Sequence, residues 1–342
     1  MSPMMTAAVM KAYGKPLTFE KVPVPEPGPR EVLVRLDACG ICHTDVHYWR
    51  GEHELPVPLP RILGHEGIGR VVKTGPGTTR LAVGERVGIG FVFDTCGFCR
   101  ECLSSHETNC RDVTCTGVHV SGCFAEYVVL RERWATPIPD ALDSIAAAPL
   151  LCGGVAAFSA VRKAALEPGD RAVIFGLGGL GLYGVQAAKL TGARVIAVDV
   201  DDSKLEAARK LGADVILRGD KQPEEAIQQL GGADACLNFA PVSSTWQQML
   251  KACGPRARIV LIALPTAELS FHASSIIERG LTVRGSADGN RQELRQLMKL
   301  ASEGHIQSQV TAVPFTDINS ALQRLQDGKV TGRLVLDLRT GG

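Results

Sequence analysis

Two groups of residues in this 342-residue chain are placed to do chemistry. The first begins with the run Gly40-Ile41-Cys42-His43-Thr44-Asp45-Val46-His47. It packs a thiol, two imidazoles, a hydroxyl and a carboxylate into six residues. Such a cluster suits neither a core nor an ordinary loop. A soft metal ligand with proton-handling groups beside it uses all of them. Cys42 cannot hold a metal alone. Gly64-His65-Glu66-Gly67 offers an imidazole and a carboxylate, and Leu150-Leu151-Cys152-Gly153-Gly154 offers a second thiol. Each has a plainer reading by itself: a polar loop for the first, a small core residue for the second. Together, Cys42, His65 and Cys152 supply two thiolates and one imidazole with a fourth position open, the ligand set of a catalytic zinc. Asp45 is a candidate acceptor for the other nitrogen of His65.

The second group is Cys96-x2-Cys99-x2-Cys102-x7-Cys110. Four thiolates at this spacing can wrap one tetrahedral zinc and leave no open position, which makes the site structural. Disulfides or a redox CxxC are the alternatives. Further on, Gly176-Leu177-Gly178-Gly179-Leu180-Gly181 follows a strand-like run and opens a helix-like one, the context a dinucleotide loop requires. The first glycine permits the tight turn, the second lets a pyrophosphate approach the backbone, and the third lets helix pack on strand. Asp199 ends the next strand, 23 positions after Gly176. A carboxylate there accepts from ribose hydroxyls and repels a 2′-phosphate, which favours NAD over NADP. Lys204 is placed to add a hydrogen bond. Packing alone is the other reading of the loop.

These residues need elements to hold them. Short strands broken by proline and glycine fill the first 150 residues and suggest a barrel-like β domain. From about residue 150 strands alternate with helices. Candidate strands are 171–175, 194–198, 215–217, 235–239, 258–262 and 281–285, with helices at 183–190 and 203–211, which means a parallel sheet covered on both faces. After residue 288 the texture changes again, with helices at 290–303 and 318–326 and strands at 309–313 and 332–337. These elements are assigned to the β domain, so the nucleotide domain is an insertion. The expected division is 1–151 with 288–342, carrying a zinc lobe at 94–111, and 152–287.

Composition bounds the rest. An apolar fraction of 45% and a charged fraction of 21% are those of a soluble globular protein. A net charge of +1 gives no electrostatic case for nucleic acid or an anionic membrane. The first ten residues lack a secretory pattern. The eleven cysteines are therefore expected in a reducing, cytoplasmic setting.

In these motifs and in their order, the chain resembles the zinc-dependent medium-chain alcohol dehydrogenases, particularly the tetrameric bacterial and yeast type. The resemblance covers essentially the whole chain, including Gly332-Arg333. It implies an α/β fold: a GroES-like β-barrel catalytic domain plus a doubly wound Rossmann NAD-binding domain. It implies two zincs per chain and NAD, and NAD-dependent oxidation of primary alcohols to aldehydes and the reverse. A polyol or secondary-alcohol dehydrogenase is the alternative within the fold; a zinc- and nucleotide-binding redox sensor without turnover is the rival from another class. Cys42, His65 and Cys152 would bind the catalytic zinc, with Glu66 close enough to take a turn as ligand. Thr44 would take the alcohol proton, which would leave by His47. His43 and Arg333 would lie near the coenzyme pyrophosphate. Phe91, His53 and Trp49 would border the substrate, Trp49 having packing as its other reading. His53 stands where the family often has a tryptophan, and Ala156 where it often has a threonine. The expected partners are a small alcohol or aldehyde and further copies of the chain, as a homotetramer or homodimer, with no nucleic acid and no membrane.

Overall fold

The computed structural model describes residues 3–263 and 268–339. The chain divides into two compact units, Met1–Cys152 with Asn290–Gly342, and Gly153–Gly289.

The first unit is built on the strand Glu31–Ile41. Its side chains are buried on both faces over most of its length, which suits a central strand. It pairs antiparallel with Glu66–Thr74 along one edge. The other edge is shared: Tyr127–Arg131 covers the first half and Arg333–Asp337 the second. Register shifts at Leu33/Val34 and Leu36/Ala38 bend it. The sequence predicts this strand only to Leu36; it runs on to Ile41, because Ala38, Cys39 and Ile41 are small or apolar and fully buried.

The chain turns directly from Ile41 into the helix His43–Arg50, which the sequence reading does not predict. Asp45 explains it. Its carboxylate accepts from the Cys42 N–H in a capping box, and its charge suits the positive helix N-terminus. Gly51, in the left-handed region at φ 75°, ends the helix. Val46 and Trp49 point inward. The helix Ile318–Gln326 packs in the same unit, and Asn319 exchanges two hydrogen bonds with the backbone of Leu17.

The second unit is a six-stranded parallel sheet. Its order is Val215–Arg218, Arg194–Asp199, Arg171–Phe175, Ala233–Asn238, Cys253–Leu261, Thr282–Gly285. This is the doubly wound dinucleotide-binding order, third-second-first-fourth-fifth-sixth. Ala172 and Ile174 face one core and Val173 and Phe175 the other, so both faces are covered. The helices Gly153–Lys163 and Ser244–Ala252 were not anticipated, and Trp246 and Met249 of the latter fill the second core. Glu224 is half-buried, with Lys251 3.8 Å away. Among the described residues no single helix is long and apolar enough to cross a membrane.

Candidate active site

Cys42 sits between strand and helix, His65 and Glu66 lead into the strand Glu66–Thr74, and Cys152 follows the turn Ala148–Leu151. One ligand atom from each of these four residues lies within 4.8 Å of those of the others. The Cys42 and Cys152 sulfurs are 3.9 Å apart. Four groups about 2.0–2.3 Å from one ion require spacings of this order.

The hydrogen bonds leave the right atoms open. His65 Nδ1 lies 3.2 Å from Asp45 Oδ1, and the same oxygen accepts from the Gly64 N–H at 3.1 Å. Nε2 of His65 is buried with no hydrogen-bond partner, and so is Oε2 of Glu66. Buried orphans of this kind are costly unless something fills them, and a cation fits both. The electrostatics agree. The neighbouring Cys152 thiol, against the cost of burial and helped by His65, holds Cys42 well below the usual thiol range. Burial disfavours the His65 cation, but Asp45 and Cys42 outweigh it and raise the imidazole well above its usual value. The cluster carries surplus negative charge. Burial pushes the Glu66 carboxyl up to about 7, against the pull of Arg333.

Arg333 has a partner inside this cluster. It is 3% exposed, and its guanidinium is hydrogen-bonded to Glu66 Oε1. It neutralises the buried carboxylate. Gly40 makes room for that carboxylate, since a Cβ there would overlap Glu66 Oε2. Trp49 is corrected. It is 5% exposed within the core, with its indole N–H donating to Lys15 O at 2.6 Å, so packing is its role.

Around the cluster, Thr44 Oγ1 is 3.6 Å from Cys42 Sγ, and the Phe91 ring meets the His65 ring edge-on at 5.1 Å. His43 is exposed, its ring 6.5 Å from that of His47. His47 has a neighbour the sequence does not flag. Glu52 folds back past Gly51, donates its N–H to His47 O and brings its carboxylate 2.5 Å from His47 Nδ1. The His53 ring lies 5.2 Å from that of His47.

Cys96, Cys99, Cys102 and Cys110 form a second cluster. Sulfur separations are 3.6 Å for Cys96–Cys110, 3.8 Å for Cys99–Cys110 and 3.9 Å for Cys96–Cys102. Four sulfurs about 2.3 Å from one zinc at tetrahedral angles lie about 3.8 Å apart, so the cage has the right size. All the cysteines are free thiols, which removes the disulfide alternative. The N–H groups of Phe98 and Cys99 hold Cys96 down to about 7. The Cys102 N–H favours a Cys99 thiolate, but burial and the other thiols push Cys99 up to about 12. Four thiolates share so small a volume only around a cation.

In the second unit, Gly176 has φ 86° and lies so close to Ala240 that no side chain fits. A Cβ on Gly181 would overlap Gly176 O. At Gly178 a Cβ would meet nothing, so this backbone faces open space. Gly178, Gly179 and Leu180 are all partly exposed. That is a cradle a phosphate can enter, at the start of the helix Gly181–Leu190. Asp199 lies beside it. One carboxylate oxygen accepts from Leu177 N at 2.6 Å, and the other from Val200 N at 2.8 Å and Asp201 N at 3.1 Å. Lys204 is half-buried in the first turn of the next helix.

Residues 28–140 match the alcohol dehydrogenase GroES-like domain, and residues 179–303 match the zinc-binding dehydrogenase domain. An alcohol dehydrogenase of Moraxella sp. (strain TAE123) is 38% identical over 97% of this chain and 99% of its own. Among solved structures, the alcohol dehydrogenase of the hyperthermophilic archaeon Aeropyrum pernix is 32% identical with a TM-score of 0.91, covering 97% of this chain and 99% of that one. An NAD-dependent alcohol dehydrogenase is 32% identical with a TM-score of 0.92, covering 98% and 100%. A GroES-like β domain with a doubly wound nucleotide-binding domain and two ligand clusters is the plan of a zinc-containing dehydrogenase. The chain belongs to the zinc-dependent medium-chain alcohol dehydrogenase family. It is an enzyme, and its activity is that of an alcohol dehydrogenase.

Proposed function

We propose that the enzyme oxidises primary alcohols to aldehydes, and runs the reverse, with NAD. The observation that carries this is the convergence of Cys42, His65 and Cys152 with His65 Nε2 buried and unpartnered. Zinc bound there supplies a positive charge that lowers the pKa of an alcohol hydroxyl by several units. NAD supplies the hydride acceptor.

The chain's own residues do the rest. Asp45 fixes the His65 ring so that Nε2 faces the metal. Glu66 stands beside the ligands, its charge balanced by Arg333. Thr44 takes the alcohol proton and His47 passes it to solvent. Phe91 walls the substrate, and His53 stands near the exit. Gly176, Gly178, Gly179, Leu180 and Gly181 receive the coenzyme pyrophosphate with His43, and Asp199 with Lys204 holds its ribose. Asp199 already spends part of its accepting capacity on backbone N–H groups, which hold its orientation, and a carboxylate keeps further lone pairs for hydroxyls. The preference for NAD is also supported by the relative named as NAD-dependent. Cys96, Cys99, Cys102 and Cys110 hold a structural zinc. A cytoplasmic homotetramer completes the proposal. Its support is the set of free thiols and the apolar surface at Phe98 and Leu103, which an assembly would cover.

A polyol or secondary-alcohol substrate is the second reading, favoured by the polar His53 near His47. The test is NAD reduction across graded aliphatic, aromatic and polyhydroxy alcohols, with zinc measured on the same sample. Turnover of benzyl alcohol and ethanol supports the first reading. Turnover of sorbitol alone overturns it.

A further inference from the structure

A cavity of about 490 Å3 opens on the first unit, away from the Cys42 cluster in sequence and built from none of its residues. Arg30, Arg80, Arg131, Arg133 and Arg291 line it, against two carboxylates, Asp94 and Glu132. An adjoining recess of about 270 Å3 shares Arg80 and Arg291 and adds Arg295.

The two carboxylates are already committed. Asp94 Oδ1 accepts from Arg133 Nε at 2.8 Å and from the Trp134 indole at 3.1 Å, and Arg131 Nε lies 3.3 Å from Asp94 Oδ2. Glu132 Oε2 accepts the backbone N–H groups of Thr79 and Arg80, both at 2.9 Å. Arg291 is held by Glu107 at 2.8 Å and lies over the Trp134 ring at 4.8 Å. The guanidiniums of Arg30 and Arg80 have no hydrogen-bond partner among the described residues. Arg30 also has φ 56°, a left-handed backbone that glycine adopts more freely than other residues.

Asp94, Glu132, Glu31 and Glu107 offset much of this positive charge, and an entering anion would offset the remainder. Guanidinium groups match oxyanions, in paired N–H···O geometry. Two open guanidiniums, with three more held in place by their own partners, suit an anion of several charges. The volume falls in the range of small-ligand pockets.

We propose that this cavity is a binding site for a polyphosphate, either a free one or the phosphate chain of a nucleotide. The site touches the cysteine lobe at both ends. Arg133 donates to Thr95 O beside Cys96, and Arg291 holds Glu107 near Cys110. An anion drawing these arginines together steadies the lobe.

The experiment is calorimetric titration of the full-length protein with tripolyphosphate at saturating NAD, so that the glycine loop is occupied. The expected result is one site per chain whose affinity falls with added salt. Arg30→Ala with Arg80→Ala should weaken it by about tenfold or more, since a hydrogen bond to a charged group contributes roughly 1.5–3 kcal/mol. Arg80→Glu should abolish it. Both side chains are exposed, so the variants should fold and keep alcohol turnover. ATP in place of tripolyphosphate separates the two sources. No binding with NAD saturated, or affinity unchanged in the double variant, overturns the proposal. So does a double variant whose only change is in assembly state, which would make the cavity an interface for acidic side chains.

Discussion

The imidazole Nδ1 of His47 and the carboxylate of Glu52 are 2.5 Å apart, joined across the left-handed turn at Gly51. With Nδ1 engaged, Nε2 is the nitrogen left to receive a proton, and the carboxylate is the group waiting behind it. Glu52→Gln should slow alcohol oxidation about twofold to fivefold, the equivalent of the roughly 0.4–1 kcal/mol of an exposed pair. The hydrogen bond from His47, opposed slightly by desolvation, holds the Glu52 carboxyl below its usual value. The pair is therefore present above the ordinary carboxyl range and lost only as pH falls through the lowered value. The rate ratio of wild type to variant should approach one as pH falls through the lowered carboxyl value. A ratio already near one at neutral pH would separate Glu52 from the relay.

Metal analysis tests the ligand set. The wild type should carry an ion in each of its two clusters, and Cys42→Ala should lose one ion with nearly all turnover. Cys99→Ala should lose the other and lower the melting temperature. Retention of both ions in Cys42→Ala would rule out Cys42 as a ligand.

Coenzyme choice should follow Asp199. Asp199→Gly should narrow the preference for NAD over NADP by about tenfold, near the free energy of one charge-assisted hydrogen bond. Asp199→Asn removes the charge and keeps one oxygen acceptor, for Leu177 N or for Val200 N but not for both. If the asparagine variant discriminates like the wild type, charge is not the cause.

Gly40→Ala should destabilise the first unit by roughly 1–3 kcal/mol, the usual cost of forcing atoms into a packed site, because its Cβ meets Glu66 Oε2. Thermal unfolding gives the answer, and a variant as stable as the wild type would show that Glu66 has another place to go.

In the second unit, Asp234 accepts from Arg171 at Nε, Nη2 and the backbone N–H, at 2.9, 3.1 and 2.8 Å. Burial alone would raise its carboxyl, but Arg171 pulls it below the usual range. A depressed carboxyl stabilises the fold above its unfolded value of about 3.9 and stops doing so as pH falls through the folded value. Asp234→Asn should cost roughly 1 kcal/mol near neutral pH, discounted for partial exposure. Urea melts should show the gap closing as pH falls below the unfolded carboxyl value.

Local chemistry was readable along the chain, and tertiary partnership was not. The strand Arg171–Phe175 and the helix Ile318–Gln326 stand out because a short apolar run between turn residues and a 3.6-residue period are properties of neighbouring residues. Cys42, His65 and Cys152 are conspicuous by type, and the fold brings them together. The helix His43–Arg50 is hidden because its residues look like ligands and its start depends on one side chain, Asp45. The pairing of Arg333 with Glu66 is hidden because nothing near either in sequence announces the other. The arginine cavity draws on five separate segments of the chain, so no window of sequence displays it.

Glu66 and Arg333, buried against each other, are 267 residues apart in the sequence. On the ribosome, the carboxylate emerges long before its counter-charge. The strand Arg333–Asp337, which zips along Ala38–Ile41 and delivers that guanidinium, is made long after Glu66 has emerged. Until then a nascent first unit must hold Glu66 protonated or keep it in water. The metal pocket is therefore balanced only once Arg333 has been made, and a chain stalled before it carries its ligands without the charge that lets them stay buried.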